Sequence, residues 1–97
     1  MIRVVYRWRI EPGAREEFTS WWHDGTVRIR STFPGAMGST LLAPADDPDH
    51  MVAIARWRSR HDLEAFWADP GGTPFAGAVM EGADIFDEVD DLTVSDG

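Results

Sequence analysis

The spacing of apolar residues changes along the chain and predicts where strands and helices lie. Over residues 2–10, apolar side chains alternate with positions that are mostly arginine, which is the period of a strand with one strongly apolar face. The Pro-Gly pair at 12–13 ends this strand. From Ala14 the apolar residues recur at helical spacing, and the Pro-Gly pair at 34–35 ends a long helix.

The middle of the chain predicts two further strands and a short helix. The strands cover residues 36–42 and 51–57 and are joined by a polar hairpin at 43–50. Because both faces of the segment 51–57 are largely apolar, we expect that strand to lie inside the sheet. Residues 59–62 resemble a capping box, with Asp where Glu or Gln is usual, and they predict the start of the short helix.

The C-terminal part of the chain predicts one more helix and a last strand. Thr73 and Pro74 resemble an N-cap followed by proline at the first helical position, which predicts a helix to about Glu81. Residues 85–94 predict a strand with a charged face. The resulting order is the ferredoxin-like βαββαβ arrangement, an α+β fold with a four-stranded antiparallel sheet. We expect one domain over residues 1–94 and a flexible tail over 95–97.

One face of such a sheet would be bare in a monomer, because the helices cover only the other face. A single apolar layer on a small domain is unstable in water, so the fold predicts a homodimer through this face. Arg7 and Arg9 lie on the opposite strand face from Tyr6, and we assign them to the dimer side, since arginine is common at interfaces.

Composition and charge narrow the classes of partner. The chain has 9 basic residues, all arginine, against 17 acidic residues, which gives a net charge of -8 and disfavours nucleic acid. It has no Cys, which excludes disulfides and thiolate chemistry, and it has no Asn or Gln. Neither a signal peptide nor an apolar run of roughly 20 residues is visible, so we expect a cytoplasmic protein without a membrane partner.

Three segments in order resemble the antibiotic biosynthesis monooxygenase family. They are EPGAREEFTSWW (11–22), FPGAMGSTLL (33–42) and ARWRSRHDLEAFW (55–67), and the resemblance extends over residues 1–94. The resemblance implies a dimeric α/β barrel with a pocket in each subunit between the sheet and the helices. It also implies either of two activities. Some members oxygenate flat polycyclic aromatics with O₂ and without metal or flavin, whereas others bind and degrade haem.

The resemblance makes Trp67 and Tyr6 the candidate catalytic residues. Trp67 matches a Trp on the short helix that serves catalysis or ligand packing, and its ring can stack on a planar substrate. The alternative is a core Trp beside Leu63 and Phe66. Tyr6 stands where family members often carry Asn, and its phenol can both donate and accept a hydrogen bond. The alternative is a half-buried strand Tyr whose hydroxyl binds water.

Further aromatic residues are candidates for the wall of a substrate pocket, whereas Trp57 is expected to be structural. Whether these rings fill the interior or leave a cavity stays open at this point. The candidate substrate-binding residues are Trp8, Phe18, Trp21, Trp22, Phe66 and Phe75.

The sequence predicts no metal, haem or flavin. Haem degraders of the family supply an axial His shortly after the short helix, and Gly77 stands about there in this chain. We expect His23, His50 and His61 to be solvated, and no two of them have ligand spacing on one helix. The acidic run at 46–49 lacks the Gly and distal Glu of a calcium loop.

We therefore expect a small dimeric monooxygenase that acts with O₂ on a planar, polyketide-like phenol and needs no cofactor. The alternatives are a protein of the same fold that binds a small apolar ligand or haem without turnover, and a purely structural dimer. A cavity of roughly 300 Å³ or more between the sheet and the helices, lined by Trp67 and Tyr6, would favour a ligand over a filled interior.

Overall fold

The computed structural model describes residues 1–93, so the predicted tail and the end of the predicted last strand lie outside the described residues. Four strands and two helices follow one another as β1 (Ile2–Ile10), α1 (Arg15–Thr32), β2 (Ala36–Leu42), β3 (His50–Trp57), α2 (Arg60–Trp67) and β4 (Ala78–Asp87). The predicted βαββαβ order is confirmed. In the described part of the chain, neither helix is long and apolar enough to cross a membrane.

The four strands form one antiparallel sheet in the order β2-β3-β1-β4. The apolar segment that forms β3 lies inside the sheet, as its two apolar faces predicted. Val4 of β1 lies between Ala55 of β3 and Ile85 of β4, and its side chain is fully buried. The apolar side of β1 therefore forms the floor on which the helices pack.

The core is divided into two clusters along the helix-covered face of the sheet. One cluster comprises Ile2, Val4, Ala55, Trp57 and Leu63, and the other comprises Trp8, Ile10, Phe18, Met51 and Ala53. Tyr6 packs against both clusters, at the middle of β1. The space above Tyr6 is where a gap in the interior would open.

Ser59 caps the start of α2 as predicted, but Asp62 accepts from the Ser59 hydroxyl and not from its backbone N–H. The Asp62 backbone N–H donates to Ser59 Oγ (3.2 Å), and the Ser59 hydroxyl donates to Asp62 Oδ2 (2.9 Å). Arg58 donates to the same carboxylate (2.9 Å), and hydrogen bonds from Arg58 and Ser59 hold the pKa of Asp62 below its usual range. Gly35 has a φ of +85°, and a Cβ there would collide with the Asp62 carboxylate. These contacts fix the start of α2 against the turn before β2.

The last part of the prediction is wrong. Residues 73–77 are not helical, and the last strand begins at Ala78 rather than at residue 85. Pairing with β1 along its full length outweighs the local helix signal, since the segment also contains Gly77 and Gly82, which disfavour a helix interior. A register shift opposite Arg7 and Trp8 breaks the alternation that would have indicated a strand.

The acidic residues after β4 leave the sheet and fold over its other face. Glu88 accepts from Arg3 (3.0 Å) and Arg56 (2.9 Å), and Asp91 accepts from Arg3 (3.0 Å). These ion pairs neutralise part of that face. The acidic residues predicted as the charged face of the last strand therefore lie after that strand and contact the sheet.

His50 also differs from the expectation of a solvated side chain. It is the first residue of β3, with Nδ1 2.6 Å from Asp47 Oδ2 and Nε2 3.1 Å from Glu81 Oε1. The register pairs His50 with Arg9, on the face that the helices leave open. The strand pairing brings Glu81 to it from β4, which spacing along the chain does not reveal.

Candidate active site

A cavity of about 920 Å³ lies between the sheet and the helices. All five tryptophans of the chain contribute to its lining, together with the single tyrosine. The volume is well above the roughly 300 Å³ that a small-molecule site needs. The interior of the described chain is therefore open at this place, and the aromatic residues surround a space that they do not fill.

Tyr6 and Trp67 meet in this cavity. The indole Nε1–H of Trp67, at the end of α2, donates to the hydroxyl of Tyr6 on β1 at 3.0 Å. Trp67 is 44% exposed, whereas Leu63 on the same helix is fully buried. The apolar face of α2 thus packs into the core through Leu63, and Trp67 lies beyond the core at the edge of the cavity.

The hydroxyl of Tyr6 is a donor with no partner among residues 1–93. Burial raises the pKa of the Tyr6 phenol, and the hydrogen bond from Trp67 lowers it by a smaller amount. The phenol therefore keeps its proton at neutral pH. The Tyr6 oxygen already accepts the hydrogen bond from Trp67. The Tyr6 O–H is therefore left to donate to a ligand oxygen.

At one end of the cavity, an aromatic wall joins α1 to the loop before β4. Trp21 packs against Phe75 with 5.9 Å between ring centroids, and its indole N–H donates to the Thr73 carbonyl at 2.6 Å. Trp8 forms the floor here, and its ring is 5.7 Å from that of Tyr6. The loop that had been predicted as a helix therefore closes this end of the cavity.

Phe18 differs from the other candidate wall residues. It is fully buried, does not line the cavity, and packs edge-on against Trp8 at 5.1 Å. It also contacts Trp21 at 5.3 Å. Phe18 therefore supports the wall from behind.

Trp22 and Phe66 line the cavity, and Trp57 does so as well, while substrate binding by Trp22 and Phe66 stays a prediction. Phe66 stacks on Trp57 with 5.3 Å between centroids and meets Phe33 edge-on at 5.1 Å. Trp57 is only 2% exposed, which agrees with the structural role expected for it. It gives the cavity a rigid apolar end.

Charged residues at the rim were not predicted. Asp24, Arg28 and Arg30 of α1 line the cavity and are exposed. Helical spacing could have found them, because Asp24 and Arg28 lie three and seven residues after Trp21, on the same side of the helix.

The residues of the cavity do not fit a haem iron. None of the three histidines lines it, and the described residues hold no group of three His, Cys, Asp or Glu side chains that could bind a metal ion. Gly77 stands where the family resemblance would place an axial His. A Cβ there would lie 2.8 Å from Phe75 Cε2, so a side chain would displace the aromatic wall.

The model of the family described as antibiotic biosynthesis monooxygenase matches residues 1–71. The chain belongs to this family. No curated protein matches the chain. The match covers β1 to α2 and therefore includes both Tyr6 and Trp67.

Solved structures place the chain beside oxygenases and haem degraders of this fold. SnoaB, a cofactor-independent oxygenase from Streptomyces nogalater, is 26% identical, with a TM-score of 0.76 over 96% of this chain and 97% of that one. MhuD, a heme-degrader from Mycobacterium tuberculosis, is 20% identical, with a TM-score of 0.74 over 95% of this chain and 99% of that one. The second likeness shows the fold alone. Family and neighbours together support a monooxygenase-type role.

Proposed function

We propose that this family member is a cofactor-independent monooxygenase that oxidises a planar aromatic phenol with O₂. The observation that carries the proposal is the Tyr6–Trp67 hydrogen bond inside an aromatic cavity of about 920 Å³. The likeness to SnoaB, which is a cofactor-independent oxygenase, supports the same class of reaction.

The shape and chemistry of the cavity favour a flat, mostly apolar ligand. Aromatic rings bind other rings by offset stacking or edge-to-face contact, and here they enclose the ligand from the floor and from both helices. The hydroxyl of Tyr6 lies among these rings and can donate, which gives a substrate oxygen a position on the aromatic floor. A fused-ring phenol satisfies both requirements.

The oxidation needs no outside reductant when the substrate itself loses two hydrogens. In the reaction SH₂ + O₂ → SO + H₂O, one oxygen atom enters the product and the other leaves as water. The electrons come from the electron-rich ring. The protein then has to hold the ring in one orientation, exclude water, and favour the electron-rich form of the substrate.

Tyr6 has the role of stabilising charge on the substrate oxygen. Its O–H keeps its proton at neutral pH and donates to that oxygen as negative charge develops during proton loss. Trp67 holds the Tyr6 hydroxyl from the other side and offers its exposed ring to the substrate. Both residues therefore act together, Trp67 as stacking surface and Tyr6 as hydrogen-bond donor.

A second candidate is a binding protein of the same fold without turnover. One observation favours it: Asp24 is the only carboxylate of the described lining, and no His is present to take a proton from the substrate. In that case the substrate would lose its proton to solvent or keep it. The two candidates differ in whether O₂ is consumed, not in whether the ligand binds.

The experiment is an oxygen-electrode assay with a panel of fused-ring phenols and anthrones. Turnover should incorporate one atom of ¹⁸O from ¹⁸O₂, detected by mass spectrometry of the product. Tyr6→Phe and Trp67→Phe should each lower the rate, whereas Arg60→Gln on the outer side of α2 should not. Tight binding of these compounds without any oxygen uptake would favour the binding protein.

A further inference from the structure

We propose that residues 69–74 form a lid that opens to admit the ligand, and that the hydrogen bond from the Trp21 indole to the Thr73 carbonyl holds this lid closed. The inference rests on the proposed function, because a lid has a role only when a ligand enters the cavity. It adds the route of entry, which lies between α1 and the loop that follows α2.

The lid forms the side of the cavity between the end of α2 and helix α1. Residues 71–74 line the cavity, and the glycines among them lie against Arg28 of α1. A Cβ on Gly72 would be 3.3 Å from Arg28 Nη2, and a Cβ on Gly71 would be 3.7 Å from Arg28 Nη1. Because neither glycine has a side chain, the lid can lie close to the helix and cover the cavity.

Few contacts hold the lid in this position. Residues 69–74 are all exposed and belong to no helix or strand. Among residues 1–93, one backbone group of 70–74 is hydrogen-bonded to another element: the Thr73 carbonyl accepts from the Trp21 indole N–H at 2.6 Å. The Gly71 backbone N–H is bonded within the lid, to Asp69 Oδ2 at 3.1 Å. A segment with so few contacts to the body of the protein opens at a small cost in free energy.

Both ends of the lid are anchored, which confines the opening to the lid itself. At the first end, the Asp69 backbone N–H donates to the Phe66 carbonyl of α2 at 3.0 Å. Just beyond the other end, the ring of Phe75 meets that of Phe18 edge-on, with 5.6 Å between the centroids. Since Phe18 is fully buried, this end is attached to the core.

The two glycines are the place where the lid can bend. They lie between Pro70 and Thr73-Pro74, and proline restricts the backbone at 70 and 74. Gly72 has a φ of +95° in the closed lid, a conformation that favours glycine. A residue with a Cβ adopts it only with strain, so a substitution at Gly72 should favour the open lid.

Binding kinetics distinguish a lid from a fixed wall. A substitution that removes a contact with the ligand changes mainly the dissociation rate. A lid has to open both before the ligand enters and before it leaves. A substitution that favours the open lid therefore raises the association and dissociation rates by the same factor and leaves the affinity almost unchanged.

The test is a stopped-flow measurement with 1,8-dihydroxyanthraquinone, a fused-ring phenol that is already a quinone. Quenching of tryptophan fluorescence reports binding, since all five tryptophans line the cavity. Gly72→Ala should raise both rates about fivefold relative to the wild type, as expected for the strain of an alanine at positive φ. Gly13→Ala is the matched control, because Gly13 has a φ of +80°, has nothing within 4 Å of a new Cβ and does not line the cavity. It should leave both rates unchanged.

A second variant removes the hydrogen bond itself. Trp21→Phe keeps an aromatic ring but loses the N–H that donates to Thr73, so the association rate should rise although a cavity residue has become smaller. Trp22→Phe is its control. Trp22 is the next residue on α1 and lines the cavity, but within residues 1–93 its indole is not bonded to the lid. Trp22→Phe should change only the dissociation rate. Thermal melting establishes that each variant is folded.

The possible results separate the lid from the proposed function. Unchanged rates in Gly72→Ala, or a higher dissociation rate alone in both Gly72→Ala and Trp21→Phe, contradict the lid and leave the aromatic cavity intact. Failure of the wild type to bind the probe contradicts the proposed function and the lid with it. Acceleration of both rates in a protein that consumes no oxygen with any phenol supports the lid and contradicts catalysis alone.

Discussion

The indole N–H of Trp67 and the hydroxyl of Tyr6 are joined by a 3.0 Å hydrogen bond, although the two residues are 61 positions apart. The bond connects the end of α2 to the middle of β1. Tyr6 packs against both core clusters, which hold its side chain in place. The hydrogen bond to the Tyr6 hydroxyl therefore limits the positions that the Trp67 ring can take. This relationship is the basis of the first prediction.

Trp67→Phe should weaken ligand binding far more than it weakens the fold. Since Trp67 is 44% exposed, we expect a stability loss of about 1 kcal/mol or less, whereas affinity for a fused-ring ligand should fall several-fold with the loss of the indole face and N–H. Melting curves and fluorescence titrations of both forms measure this. Leu63→Ala is the opposite case, with an expected loss of about 2–5 kcal/mol, because Leu63 is fully buried. Clear destabilisation of Trp67→Phe with unchanged affinity would overturn the assignment.

The open face of the sheet should form a homodimer, and one substitution there should separate the subunits. Phe86 is 49% exposed and lies beside Arg3 on that face. Phe86→Asp buries a charge in the proposed interface, which costs several kcal/mol when unpaired. Light scattering should give a dimer mass for the wild type and a monomer mass for the variant. Val27→Asp on α1, at a residue 56% exposed, should remain dimeric. A monomeric wild type at micromolar concentration would contradict the prediction.

The elements up to α2 could be predicted because their signals are local. Alternation in β1, helical spacing in α1 and the Ser59–Asp62 cap all depend on residues close in sequence. The region of β4 could not be predicted from such signals, since a strand there depends on pairing with β1 and is interrupted by a register shift. Thr73 and Pro74 resemble a helix start, yet no packing follows to stabilise a helix.

Part of the candidate site could also be predicted from the sequence. Tyr6 and Trp67 were singled out by their place in a family pattern, and the structure brings them together in the cavity; their catalytic roles stay predictions. The rim arginines were missed because a charge on a helix usually lies in solvent. Which side chains of α1 line the cavity depends on how the helix packs on the sheet and on the loop that passes Arg28, and both are tertiary features.

Two glycine substitutions should change stability in opposite directions. Gly35→Ala should destabilise by about 1–3 kcal/mol, because φ is +85° there and the new Cβ would collide with the Asp62 carboxylate that caps α2. Gly25→Ala should stabilise by about 0.5–1 kcal/mol, since Gly25 lies inside α1 with nothing within 4 Å of the new Cβ. Chemical denaturation of the two variants measures both effects. Equal changes in the two would contradict the account of how α2 is anchored.

The phenol of Tyr6 should titrate above the usual value of about 10. Burial, the main cause, raises its pKa, and the Trp67 hydrogen bond offsets part of that rise. Because the chain has one tyrosine, near-ultraviolet absorbance against pH reports on Tyr6 alone. Removing the hydrogen bond in Trp67→Phe should move the midpoint further upward.

The same shift fixes the direction of the pH dependence of stability. A group whose folded pKa is raised stabilises the fold fully below its unfolded pKa, and that contribution is lost as pH rises through the folded pKa. The unfolding free energy should therefore fall above about pH 10, and Tyr6→Phe should remove this part of the fall. A wild-type midpoint at or below the usual value would contradict the burial of the Tyr6 phenol against the two core clusters.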